Sequence, residues 1–174
     1  RDISESKRLE DELRYLSTHD ALTGIYNRSF FETELARLQR ARQWPVSILI
    51  ADVNGLKRTN DTRGHPAGDD LLKQAARVLC ACFRPEDIVA RFGGDEFVVL
   101  LPATGANAAE EILQRVRSSL AAFNSTRPGE PLSLSIGIAT GEKGQSLLEV
   151  LNHADSEMYD DKDRQKGTGE LSQP

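Results

Sequence analysis

The sequence predicts an α/β fold of the α+β kind, in which a mostly antiparallel central sheet is covered by helices. Three observations lead there. A near-continuous apolar run at 46–53 reads as a strand buried on both faces. Two further apolar segments, 88–91 and 96–101, are joined through a glycine pair as a hairpin. Segments of helical period separate these strands, and the resulting order of helix, strand, helix, hairpin, helix, strand, helix is that of an α/β sandwich.

Residues 2–18 are charged and helix-prone, with Leu9, Leu13 and Leu16 on one face. That stripe is thin, so two readings stand: a linker helix that pairs with a second copy or joins an upstream module, or a helix folded against its own domain. A turn at 19–28 follows, then a helix at 29–42 with Phe31, Leu35 and Leu38 inward, and Pro45 precedes the 46–53 strand. The next helix is expected at 67–83, where Leu72, Ala75, Ala76, Leu79 and Phe83 keep helical phase. After the hairpin, a helix at 107–123 carries Ile112, Val116 and Leu120 on one side. A strand at 132–139 alternates Leu132, Leu134 and Ile136 with serines, and a last helix covers 146–162.

At 174 residues the chain can bury roughly 70% of the surface its unfolded form exposes, enough for one independent core. Its 22 basic and 27 acidic residues leave a net charge of −5, which argues against a general nucleic-acid or anionic-membrane binder. An anionic ligand would therefore need local cations and metal. No apolar run approaches the eighteen or so residues of a membrane span and no signal-peptide pattern follows Arg1, so the expectation is a soluble cytoplasmic piece. The lack of an initiator Met fits an excised fragment, with membership of a larger membrane-associated protein left open. Cys80 and Cys82 are two apart on a predicted helix, where side chains diverge; this favours reduced packing residues over a disulfide or metal clamp.

The hairpin is the most informative segment, because its two glycines, Gly93 and Gly94, are followed at once by Asp95 and Glu96. Glycines permit a tight turn and close ligand approach, and carboxylates at a sheet edge can hold a hard cation, so the physical reading is a metal and phosphate site. Gly93-Gly94-Asp95-Glu96-Phe97 is the name-giving signature of the GGDEF family, and the chain resembles the diguanylate cyclases of bacterial signalling over about residues 16–167. The resemblance implies the ferredoxin-like palm of nucleotidyl cyclases and polymerases. It also implies an N-terminal linker or signalling helix at 1–18, a catalytic domain at 19–167 and a tail at 168–174.

Asp52 ends the first core strand and is followed by Val53-Asn54-Gly55-Leu56-Lys57. If that strand lies beside the hairpin, Asp52 and Asp95 can converge on one or two Mg²⁺ ions, although an isolated Asp is more often an ordinary strand-end residue. The resemblance assigns metal ligation to Asp52, Asp95 and the Val53 carbonyl, with Mn²⁺ an alternative ion, and casts Glu96 as a second-metal ligand or as the base for the ribose 3′-hydroxyl. Physically, metal activation of that hydroxyl is the stronger idea, because bound Mg²⁺ lowers a nearby carboxylate's proton affinity. The loop Asn54-Gly55-Leu56 can present backbone N–H groups to phosphates. Its Asn-Gly replaces the Asp and aromatic of many family members.

Asn60 and Asp69 match the family's guanine-binding positions. A carboxylate accepts from guanine N1–H and N2, whereas adenine offers neither donor, so ATP should be rejected by at least about tenfold. Asp69 is also explicable as a helix N-terminal acid. Lys162 and Lys166 match the last-helix positions that contact triphosphate, with Lys166 in place of the usual Arg and Asp161 in place of an alanine. The competing reading pairs Lys162 with Asp161 and Asp163. Arg84 and Asp87, an Arg-x-x-Asp upstream of the hairpin, stand at the register of the family's product-inhibition site, and a surface salt bridge would explain them equally. His19-Asp20-Ala21-Leu22-Thr23 to Arg28 matches the family's entry turn, where Asp20 and Arg28 are expected to pair or cap locally.

The resemblance therefore implies an enzyme that condenses two GTP into cyclic di-GMP with release of two pyrophosphates. A homodimer is required, since one site holds one nucleotide and the product is symmetric. An upstream PAS-like sensor domain is expected in the full-length protein. The rival readings are a catalytically inactive module that binds GTP or cyclic di-GMP, a cyclase making another nucleotide, and a dimerisation scaffold.

Overall fold

The computed structural model describes residues 2–170. In chain order its elements are α1 (Ile3–Thr18), α2 (Arg28–Arg40), β1 (Val46–Val53), α3 (Leu56–Arg63), α4 (His65–Cys80), β2 (Ile88–Arg91), β3 (Glu96–Leu101), α5 (Ala106–Ser125), β4 (Leu134–Gly141) and α6 (Leu147–Glu170). The four strands form one antiparallel sheet in the order β2-β3-β1-β4. This is the helix-covered antiparallel α/β fold that the sequence predicts.

β1 runs through the middle of the sheet and all eight of its residues are buried, as its near-continuous apolar run requires. Side-chain parity divides the core into two layers. Leu49, Ala51 and Val53 of β1 and Phe97, Val99 and Leu101 of β3 face α4 and α5, meeting Leu72, Leu79 and Val116. Ile48 and Ile50, with Val98 and Leu100, face the other way onto Phe31 and Leu38 of α2 and Ala154 and Met158 of α6. Asp52 and Glu96 have the even parity, so the fold directs both toward the α6 side.

α6 lies directly on β4. A Cβ on Gly137 would overlap the backbone of Ala154 and Met158, so only glycine lets the helix approach this closely. The outer edge of β4 is also held, because the buried Asp161 carboxylate accepts from the Ile136 N–H at 2.8 Å.

Several boundaries differ from expectation. α3 is absent from the sequence reading because Leu-Lys-Arg-Thr-Asn-Asp-Thr-Arg has no apolar period and buries no residue; it is bounded instead by Gly55 and Gly64, both at positive φ. α4 starts at His65 with proline in its first turn, two residues earlier than the apolar phase indicates. β4 is displaced two residues toward the C-terminus because Leu132 packs into the core from the loop before the strand. α6 continues to Glu170, eight residues past its expected end, and residues 171–174 of the expected tail lie outside the described residues.

Of the two readings of α1, burial within this chain is not observed. The helix has no buried residue, and Ile3, Leu9, Leu13 and Leu16 are all at least half exposed. Its C-terminal end alone is tied down: the Tyr15 ring stacks on His19 at 3.9 Å and its hydroxyl donates to the Gly24 carbonyl. Cys82 is buried in the core as expected, whereas Cys80 is exposed and not a packing residue. Among the described residues, no helix is long and apolar enough to cross a membrane.

Substituting Gly137→Ala should cost about 3 kcal/mol, because the added methyl has backbone on both sides and nowhere to move. Urea unfolding of the variant would measure this, and a loss below about 1 kcal/mol would mean that α6 sits farther from the sheet than described.

Candidate active site

The site forms where β1 ends. The register pairs Asp52 with Glu96 directly across the β1–β3 ladder, and the Val53 N–H donates to the Asp95 carbonyl at 2.8 Å. Asp52, Val53, Asp95 and Glu96 are thereby brought to one end of the sheet, as the sequence anticipates. The turn between the strands is closed by the Phe92 and Gly93 N–H groups, both of which donate to the Glu96 carbonyl.

Neither Gly93 nor Gly94 has positive φ, and a Cβ on either would meet nothing closer than ordinary contact. The turn itself therefore does not demand glycine. What the pair provides is open space beside the carboxylates, which suits close approach of a ligand.

Behind the turn, the Arg91 guanidinium donates to the Gly93 carbonyl at 3.2 Å and the Gly94 carbonyl at 2.8 Å, and its third nitrogen contacts Asp20 at 3.3 Å. Asp20 also caps the entry turn through the Thr23 N–H and hydroxyl. Asp20 thus caps the turn locally, one of the two roles expected of it, and does not pair with Arg28. Arg28 instead bonds Glu32 and lies 4.2 Å over the Phe92 ring, because α2 begins at residue 28 and turns that side chain along its own helix. The sequence reading missed Arg91, whose partners are largely backbone carbonyls that leave no side-chain pattern.

From the helical layer these acids face, Lys162 of α6 donates from Nζ to Asp52 Oδ2 at 2.8 Å. The alternative, a pair with Asp161 or Asp163, is not what forms: the ammonium goes to Asp52, and the Asp161 carboxylate is turned into the sheet edge and bonded to Ile136 and Gln165. Lys166 is exposed one turn farther along.

The electrostatics are those of crowded carboxylates. Burial raises Asp52 above the ordinary carboxylate range, the Lys162 hydrogen bond opposes that, and Asp95 adds to it. Lys162 is held above its usual range chiefly by its bond to Asp52. Glu96 is pushed up to about 7, first by burial and then by the neighbouring charges of Asp155, Asp52 and Asp95. Asp155 was not anticipated. It lies on α6 seven residues before Lys162, and that two-turn spacing is the signal that places both on one helix face.

A cation fits this arrangement. Asp52 Oδ1 is buried with no hydrogen-bond partner, and three further carboxylates lie close enough to repel one another's charge. Among the described residues, however, no three His, Cys, Asp or Glu side chains form a ready-made metal cage. Such an incomplete set suits Mg²⁺, which keeps waters and takes only one or two carboxylates beside substrate phosphates.

The loop after β1 departs from expectation at Asn54. Its N–H is taken by the Ser133 carbonyl, and its side chain bonds Ser133, Ser135 and Gln165, so this residue anchors β1 to β4 and α6 and presents no N–H to a phosphate. Gly55, at φ 77°, opens α3, whose first-turn N–H groups at Leu56 and Lys57 have no partner within the helix.

Asn60 of α3 lies against α4 where Gly68 leaves room for its carboxamide, which a Cβ there would displace, and Asp69 follows on the exposed side. A cavity of about 410 Å³ opens beside Gly55, lined by Arg58, Arg63 and Arg127 rather than by Asn60 or Asp69. The largest cavity described, about 640 Å³ between α2 and the start of α6, is far from the carboxylates.

Arg84 and Asp87 do pair, at 3.3 Å, but the Asp87 side chain is fully buried and also accepts from the Arg84 N–H. Its carboxylate is therefore engaged internally, while the guanidinium of Arg84 is half exposed beside a 290 Å³ cavity that also includes Tyr26 and Cys80.

A model of the family described as "Diguanylate cyclase, GGDEF domain" matches residues 17–168. The chain belongs to the GGDEF family. Diguanylate cyclase DgcM of Escherichia coli (strain K12) is 39% identical over 162 residues, covering 91% of this GGDEF chain and 39% of DgcM. Cyclic di-GMP phosphodiesterase PdeR of the same organism is 32% identical over 169 residues, covering 95% of this chain and 26% of PdeR. The chain thus spans less than half the length of these curated relatives. Among solved structures, the coiled coil and GGDEF domain of DgcB from Caulobacter crescentus, in complex with c-di-GMP, superposes with a TM-score of 0.80 at 28% identity over 91% of this chain and 89% of that one.

The Glu96 shift sets a pH dependence in the metal-free GGDEF domain. Because the folded state holds this proton more tightly than the unfolded state, the stabilisation is full below the ordinary value of 4.5 and is lost as pH rises through about 7. Thermal melts of the parent and a Glu96→Gln variant should therefore diverge in favour of the variant across that window. Parallel melting curves would show that Glu96 titrates at its ordinary value.

Proposed function

We propose that this GGDEF domain is a diguanylate cyclase, joining two GTP into cyclic di-GMP and releasing two pyrophosphates. The observation that carries the reading is the cross-strand pair of Asp52 and Glu96 facing Lys162 on α6, which sets carboxylates for a metal beside a cation for phosphate at one end of the sheet. Asp52, Asp95, Glu96 and the Val53 carbonyl are the groups that would hold Mg²⁺ or Mn²⁺. When bound, the metal supplies charge neutralisation for the phosphates and acidifies the attacking 3′-hydroxyl.

The remaining work falls to the chain's own groups. Asn60 and Asp69 receive the guanine edge, the N–H groups at Leu56 and Lys57 meet phosphate oxygens, and Lys162 and Lys166 neutralise the triphosphate, with the side-chain-free surface at Gly93 and Gly94 leaving room for it. Each nucleotide's 3′-hydroxyl attacks the α-phosphorus of the other, so two copies of the domain face each other, and the uncovered face of α1 supports a helix that joins them or links to an upstream sensor. Arg84, with Asp87 holding it, is the group to bind product in an inhibitory site.

A second reading, a catalytically inactive module that binds GTP or cyclic di-GMP, is favoured by one observation: Lys166 and Asp161 replace the usual last-helix residues. Incubating concentrated protein with GTP and Mg²⁺, and in parallel with ATP, should yield cyclic di-GMP from GTP alone by mass analysis. GTP binding without product, even with the domains fused to a dimeriser, would leave the inactive module standing. Asp95→Ala should abolish turnover without loss of stability, because the half-buried acid adds repulsion to Asp52 and Glu96 and no core packing. Retained turnover would remove Asp95 from the metal set.

A further inference from the structure

We propose that Lys162 is the resident cation of Asp52 in the nucleotide-free protein, so that a divalent metal gains this carboxylate only when a triphosphate draws the lysine away, and metal and nucleotide enter together. The inference rests on the reading that Asp52 ligates metal and Lys162 meets phosphate. What it adds is an order of events and a competition between two cations for one oxygen pair.

The geometry points to a competitor rather than a bystander. Lys162 Nζ lies 2.8 Å from Asp52 Oδ2, and the two side chains are only 29% and 10% exposed. The other carboxylate oxygen, Oδ1, is buried and has no partner, so Asp52 is half satisfied: one oxygen is neutralised and the other waits for a donor or cation. A dication approaching Oδ1 meets the ammonium within the same carboxylate's reach, and the two cations repel.

α6 cannot withdraw to relieve this. The helix is seated by the close approach at Gly137 and by the Asp161 bond to Ile136. The lysine stem, in contrast, has four rotatable carbons, so the ammonium can swing while the backbone stays. A triphosphate offers it several anionic oxygens in place of one, after which Asp52 has both oxygens free for metal.

The proposal makes an inverted prediction. Removing a cation that serves only phosphate would weaken nucleotide binding and leave metal binding untouched. Removing a cation that also occupies Asp52 weakens nucleotide binding and strengthens metal binding. Mn²⁺ titration followed by electron paramagnetic resonance, without nucleotide, reads the second effect directly. A Lys162→Met variant should bind Mn²⁺ about tenfold more tightly than the parent, the scale of a partly screened neighbouring charge. A non-hydrolysable GTP analogue should bind the same variant more weakly.

The gain should vanish in the double variant Asp52→Asn, Lys162→Met. Equal or weaker Mn²⁺ binding by Lys162→Met overturns the proposal, as does a gain that survives in the double variant. A Lys162→Gln variant carries the same loss of charge with a polar tip and decides the matter if the Met variant fails to fold by circular dichroism. A parent protein that binds no Mn²⁺ even with the GTP analogue present would instead overturn the metal assignment beneath the proposal.

Discussion

The antiparallel ladder between β1 and β3 is the constraint on which the rest depends. Its register sets Asp52 opposite Glu96, and its parity sends both toward the layer that α6 covers. A slip of one residue would send the acids into the apolar layer beneath α4 and α5. The register is protected by the core itself, because Ile48, Ile50, Val98 and Leu100 alternate with Leu49, Ala51, Phe97 and Val99 across two different helical layers. Hydrophobic packing thus fixes the spacing of charged groups that contribute little to it.

α6 supplies the other side of the site. Ala154, Met158 and Asp161 follow one buried face, and Asp155 and Lys162 follow the neighbouring face toward the acids. Gly137 brings the helix backbone against β4, and the Asn54, Gln165 and Asp161 network fixes how far along the strand it sits. The stretch of α6 from which Lys162 projects is therefore placed by residues that do not touch Asp52.

The sequence makes much of this legible. The bounds of β1, β2 and β3 follow from near-continuous apolar runs, and the signature acids follow from their place at the strand ends. α3 is not legible, because a polar eight-residue helix held by two positive-φ glycines has no hydrophobic period to read. Asn54 looks like a loop residue when its neighbours in sequence are considered, yet its partners lie 79 to 111 residues away. Arg91 and Asp20, 71 residues apart, pose the same difficulty. Periodicity encodes which face a residue occupies; it does not encode which distant backbone group a guanidinium will find.

That Arg91 contact has a thermodynamic consequence for the turn it supports. Two consecutive glycines in open space would ordinarily sample many conformations, and a ligand arriving there would have to freeze them. Here both glycine carbonyls are held from behind by one guanidinium, which is itself fixed to the entry turn through Asp20. The surface next to Asp95 and Glu96 stays bare of side chains while its backbone is ordered in advance. The entropy of shaping that surface is lost during folding, and it is not charged again each time a nucleotide binds.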